Sequence, residues 1–176
     1  MSLSDFEQHL FDEIYEKARQ KAQYWNEDEL KMHLVGPLML LARIDKRHKI
    51  EVFYERPLHA TILNYSLSVI CDCLVATPMK FNKPKKPYFF LQAYKRGRGD
   101  DKAPEAQTLA AMLIAQHPNK DGKPLYGSYV IGSNWWFTTL IGEGYCSSRD
   151  FKMDNRQDLL QIVFILKQLK ALILER

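Results

Sequence analysis

Apolar side chains recur every three to four positions over residues 3–24, where Phe6, Leu10, Phe11, Ile14, Tyr15, Ala18 and Ala22 share one stripe. That period predicts an amphipathic helix. Asn26 followed three residues later by Glu29 makes a capping-box pattern, opening a second helix through Leu30, Leu34, Leu38 and Leu41 with a kink expected at Gly36-Pro37. The pattern then changes. "KIEVFYERP" (49–57) and "NYSLSVICDCLVATP" (64–78) are rich in β-branched and aromatic residues and end on proline, so strands are expected. "PMKFNKPKKP" (78–87) holds three prolines and four lysines and is expected as an exposed turn or loop. "YFFLQAYK" (88–95) is the next expected strand, and "RGRGDDKAP" follows as a loop. Residues 104–117 return to helical spacing in Ala106, Leu109, Ala110, Leu113 and Ile114. "LYGSYVIG" and "WWFTTLIG" read as strands, "EG" as a turn into "YCSS", and "RQDLLQIVFILKQLKALILER" as a long closing helix.

This succession predicts the α/β class (α+β mixed): a central mixed β-sheet flanked by helices. The 176 residues, 46% of them hydrophobic, suit one domain, 1–176, with the helix of 3–24 as an added element. A net charge of +4 is compatible with a polyanion partner and does not require one. Three cysteines, an odd number, argue against a disulfide framework and for a reducing, cytoplasmic setting. The opening "MSLSDFEQHL" lacks the order of a signal peptide, and no apolar run approaches the roughly 20 residues of a membrane span. A soluble protein without a membrane partner is expected. His9, His33, His48, His59 and His117 show no metal-ligand spacing, so zinc is not expected.

Candidate chemistry centres on Asp72. Alternation over Val69–Ala76 places Ile70, Asp72 and Leu74 on one face and Cys71, Cys73 and Val75 on the other. A carboxylate among such side chains is expensive unless paired or metal-bound. On the following strand Leu91, Ala93 and Lys95 share a face, while Gln92 and Tyr94 take the opposite one. Asp72 and Lys95 are therefore expected to meet. Carboxylates that hold Mg²⁺, beside a lysine that places water and offsets phosphate charge, make part of a metal-dependent phosphodiesterase site.

"PYFFLQAYKRGRGDDKAPEAQTLAAMLIAQ", continuing through "KPLYGSYVIGSNWWFTTL" to "DLLQIVFILKQLK", resembles a bacterial group within the PD-(D/E)XK nuclease superfamily. The resemblance runs from about Asn26 onward and is strongest after Pro87. It implies a restriction-endonuclease-like core and metal-dependent hydrolysis of DNA or RNA with Mg²⁺ or Mn²⁺. Carried over by position, Asp72 matches the first acid, Lys95 the lysine, Gln107 the helix glutamine and Glu29 the leading glutamate. The departure is Ala93, where the family has Asp or Glu. A methyl group coordinates no cation, so weak or absent metal binding and impaired cleavage are expected. Glu105, at the start of the following helix, is the candidate for a migrated acid, making Asp72, Glu29 and Glu105 the expected metal set.

Each residue also has a plainer reading. Glu29 completes a capping box, Glu105 complements a helix dipole, Gln107 is a polar helix-face group, and Asp72 with Lys95 forms a partly buried ion pair. Lys83, Lys85, Lys86, Arg96, Arg98 and Lys102 are the candidate nucleic-acid contacts, or else a solvated surface. The alternative function is a non-catalytic nucleic-acid-binding or protein-interaction module, including a homodimer through the aromatic "SNWWF" segment, where Trp135 and Trp136 are also candidates for base stacking.

Overall fold

The computed structural model describes residues 2–79, 83–95 and 103–175, the side chain of Leu91 excepted. Helix α1 (Asp5–Lys21) starts at a capping box in which Ser4 and Glu7 satisfy each other's backbone N–H groups. A 3₁₀ turn (Ala22–Tyr24) leads to the short helix α2 (Glu27–Leu30), a π-turn (Lys31–Val35) and α3 (Gly36–Leu41). The expected kink is thus a widened turn: the Gly36 N–H reaches back five residues to the Lys31 carbonyl, ahead of Pro37, which has no N–H to give.

Strands β1 (Glu51–Ile62), β2 (Tyr65–Met79) and β3 (Lys83–Lys95) are followed by α4 (Pro104–Asn119). Strands β4 (Leu125–Ile131), β5 (Asn134–Ile141), β6 (Gly144–Ser147) and β7 (Phe151–Lys152) precede the closing helix α5 (Arg156–Leu174). The sheet runs β1-β2-β3-β4-β5-β6 with β7 against β5. Among the described residues, only β3 and β4 pair in parallel, with α4 between them in the chain. The fold is therefore a mixed α/β architecture with a central mixed sheet flanked by helices. Among the described residues, no helix is long and apolar enough to cross a membrane.

Two cores lie on either side of the sheet. Phe11, Ile14 and Ala18 of α1 join Leu34, Leu38, Trp135, Leu159, Ile162 and Leu166 in the larger one. The N-terminal helix is thereby built into the main core, with Lys167 of α5 donating to Glu7 at 2.8 Å. The smaller core holds Ala111, Met112, Ile114 and Ala115 of α4 against Phe53, Leu58, Cys71 and Leu74.

Three strand expectations are corrected. The strand expected to stop at Pro57 continues to Ile62, because β1 is a sheet edge where a missing N–H is tolerated. Lys83–Pro87, expected in a loop, opens β3; β4 joins β3 only from Phe90, so the prolines sit where no second neighbour needs their N–H. The third correction concerns side-chain parity. Cys71, expected opposite Leu74, packs with it in the α4-side core, while Cys73 and Val75 face the larger core. Alternation thus slips by one at Asp72. On β1 it slips at the same rung, since Phe53 and Leu58 share a core five residues apart and Glu55 between them has φ 51°.

The β1–β2 hairpin turns on Leu63 and Asn64, both with positive φ (48° and 69°). Leucine has a Cβ penalty there that asparagine tolerates and glycine avoids. Leu63→Asn combined with Asn64→Gly is expected to stabilise the chain by about 1 kcal/mol, a rise of about 2–4 °C in a thermal melt. An unchanged or lower melting temperature would show that the hairpin tip bears no such strain.

Candidate functional site

Asp72 lies in the part of β2 that the hairpin extension and α4 both border, and it is 7% exposed. Its Oδ2 accepts the Tyr94 backbone N–H at 2.9 Å, and the Tyr94 hydroxyl donates to the Asp72 backbone carbonyl at 3.2 Å. Two bonds from one residue of β3 thereby lock the strands together just past the Cys73–Gln92 rung. Burial pushes the Asp72 carboxyl up to about 6; the Tyr94 N–H opposes this, Glu55 adds to it by like charge, and Lys95 opposes it more weakly.

Lys95 ends β3 and donates to Glu27 Oε1 at 2.8 Å, with its side chain 16% exposed. Asp72 and Lys95 line one open cavity of 580 Å³ together with Glu55, Ser68, Ile70 and Gln107. Gln107 Nε2 donates to the Ile70 carbonyl at 3.1 Å, which ties α4 to β2 beside Asp72. Among the described residues, its buried Oε1 has no hydrogen-bond partner. Ala93, 2% exposed, stands on β3 between Gln92 and Tyr94, two residues before Lys95, and offers only a methyl group; it is not part of the cavity lining.

Other candidates lie elsewhere. Glu29 spends its carboxylate on the capping box, accepting from the Asn26 N–H at 2.9 Å, and the glutamate that reaches Lys95 is Glu27. Glu105 accepts from the Tyr145 hydroxyl at 3.1 Å, on the side of β6, and does not line the cavity. The expected set of Asp72, Glu29 and Glu105 therefore does not come together. Among the described residues no three histidine, cysteine, aspartate or glutamate side chains are grouped to hold a metal ion. Among the described residues, the carboxylates that line the cavity are Asp72 and Glu55.

Two cavity-side carboxylates escaped the sequence reading, and both belong to a charge array around α2. Glu27 and Lys31, four residues apart, share one side of a helical turn. Glu27 reaches Lys95, and Lys31 reaches Glu55 at 2.5 Å. The i,i+4 spacing of Glu27 and Lys31 was the available signal; nothing in the sequence gave their partners.

Lys83, Lys85 and Lys86 are exposed but open β3 opposite Met79 and Thr77. Thr77 is five residues from Asp72, about 17 Å along the strand. These lysines therefore do not line the cavity. Arg96, Arg98 and Lys102 lie outside the described residues. Trp135 is fully buried, and Trp136 stacks on Tyr129 with ring centroids 5.0 Å apart, so the expected aromatic edge is largely internal packing. Exposed large apolar side chains are spread over the surface, at Leu63, Tyr65 and Ile70 of the hairpin and also at Phe6, Tyr24 and Leu40.

No protein-family model matches the chain, and a search of curated proteins finds no match either.

Proposed function

We propose that this chain is a PD-(D/E)XK nuclease-like domain that engages a phosphodiester at the Asp72–Lys95 cavity and is impaired in hydrolysis by Ala93. The observation that carries this reading is the shared cavity, in which an aspartate with a raised pKa and a lysine from the neighbouring strand face the same open space. The order of helix, antiparallel strands, crossover α4 and parallel β4 suits the restriction-endonuclease-like core that the sequence resembles. The deficit is specific. One carboxylate of the family's pair is Asp72; the other position carries Ala93, and neither Glu29 nor Glu105 replaces it.

What the residues present do is bind and orient. Lys95 supplies a cation to a phosphate oxygen once that oxygen competes with Glu27. Gln107, anchored by its amide nitrogen, presents the floor of the cavity. The native chain is expected to show no Mg²⁺- or Mn²⁺-dependent cleavage of DNA or RNA above a protein-free blank. Turnover that Lys95→Ala abolishes would defeat the impaired reading and make the chain an active nuclease.

A further inference from the structure

A second charged surface lies at the opposite end of β1 and β2 from the cavity. The chain leaves α3 through a tight turn in which the Lys49 N–H and the Ile50 N–H both bond to the Lys46 carbonyl, and Lys46 bridges back to Ile50. Arg47, His48 and Lys49 are presented at its tip, all exposed, with His48 in the left-handed region at φ 62°. The turn's backbone is thus held by hydrogen bonds, and its cationic side chains project from it into solvent.

The first residues of β3 stand beside it. Lys46, Arg47 and His48 line a groove of 260 Å³ with Pro78 of β2, and Pro78 is the register partner of Pro84, which sits between Lys83 and Lys85. Lys46, Arg47, Lys49, Lys83, Lys85 and Lys86 are six exposed cations on a chain of net charge +4, so the rest of the molecule sums to −2. Two acids share the groove, Asp45, which accepts the Val52 N–H at 2.8 Å, and the half-buried Glu51, so the six cations exceed these local acids by four. Crowding of like charge is felt nearby at Lys170, whose ammonium is pulled below its ordinary range by burial and then by Lys46 and Arg43. A surface that gathers cations against their own repulsion is suited to a polyanion.

We propose that the turn of residues 43–49 and Lys83–Lys86 form a docking surface for the phosphate backbone of a nucleic acid, separate from the Asp72–Lys95 cavity. The proposal rests on the nuclease-like reading for the class of polyanion alone. Glu51, at the groove, and Glu55, at the cavity, are four residues apart on β1, about 13 Å. A nucleic-acid strand anchored on the turn therefore reaches the cavity within a few nucleotides. A membrane fits less well, because among the described residues the surface pairs its lysines with prolines and shows no exposed aromatic side chain.

The test is fluorescence anisotropy with a labelled DNA duplex and a labelled single-stranded RNA, titrated across roughly 50–200 mM salt. If about six phosphates are contacted, log K against log salt falls with a slope near −5 for the duplex and about −4 for the single strand. Replacing Lys46, Arg47 and Lys49 together by Gln is expected to reduce that slope by about 2–3 and to weaken low-salt binding at least about tenfold. The Lys83→Gln, Lys85→Gln, Lys86→Gln triple variant, an independent set of exposed positions, is expected to do the same. Slopes equal to that of the native chain in both triple variants, with unchanged melting temperatures, would overturn the proposal. So would tighter binding to anionic phospholipid vesicles than to either nucleic acid. Because the readout is binding, a native chain that turns out to cleave would overturn the impaired reading and leave this surface standing.

Discussion

Ala93→Glu is expected to acquire Mg²⁺- or Mn²⁺-dependent cleavage of DNA or RNA, on the order of 10²-fold above the protein-free blank that the native chain does not exceed, the scale on which a single transition-state-stabilising group contributes. Position 93 lies on β3 one residue past the Cys73–Gln92 rung, with Lys95 two residues on, so its side chain is the natural neighbour of Asp72. A carboxylate there adds to Asp72 and Glu55 a donor on the face of Lys95 that neither Glu29 nor Glu105 provides. The substitution places an acid at a site only 2% exposed, which costs stability unless the acid is paired or metal-bound. Ala93→Asp, with a shorter side chain, is the companion variant, and circular dichroism establishes that each folds. Folded variants without any gain in cleavage would show that more than one acid separates this cavity from a hydrolytic site.

Asp72→Asn is expected to stabilise the chain at pH 8 by about 2 kcal/mol and to change little at pH 4. The sign follows from the carboxyl's position at about 6 in the folded chain against an ordinary 3.8. The folded state binds the proton more tightly than the unfolded one, so Asp72 costs stability as pH rises from 4 through 6, and the full cost applies above that. The shift corresponds to about 3 kcal/mol, reduced to about 2 because the cavity is open to solvent. Asparagine keeps an acceptor for the Tyr94 N–H and has no charge to bury. Denaturant melts of both proteins across this pH range check the expectation. A variant less stable at pH 8, with the loss fading toward pH 4, would instead mark Asp72 as half of a stabilising ion pair with Lys95. The geometry argues otherwise, because Lys95 is held by Glu27 and burial outweighs its influence on Asp72.

The sheet and its flanking helices were legible in the sequence because their apolar periods are long and each element ends on a marked residue. Errors gathered where a local signal was overruled by position in the sheet. Pro57 and the prolines around Lys85 read as breaks, yet β1 is an edge strand and the opening of β3 is not yet flanked by β4. Strict alternation put Cys71 opposite Leu74, and it failed at the Glu55–Asp72 rung where both strands slip. The meeting of Asp72 and Lys95 was anticipated from the order of strands. Which glutamate joins them was not: Glu29 carries the capping signal, and Glu27 carries the contact. Helical phase separates residues two apart by most of a half-turn, so one glutamate faces the helix start while the other faces β3.

The central claim is that Asp72 and Lys95 share a phosphodiester site lacking one acid at position 93, and Mn²⁺ titration by calorimetry tests it most directly. Ala93→Glu is expected to bind Mn²⁺ at least tenfold more tightly than the native chain, an added free energy of about 1.4 kcal/mol or more. Asp72→Asn in that background is expected to remove the gain. Equal affinity in the native and Ala93→Glu proteins, or a gain that survives Asp72→Asn, would contradict the account.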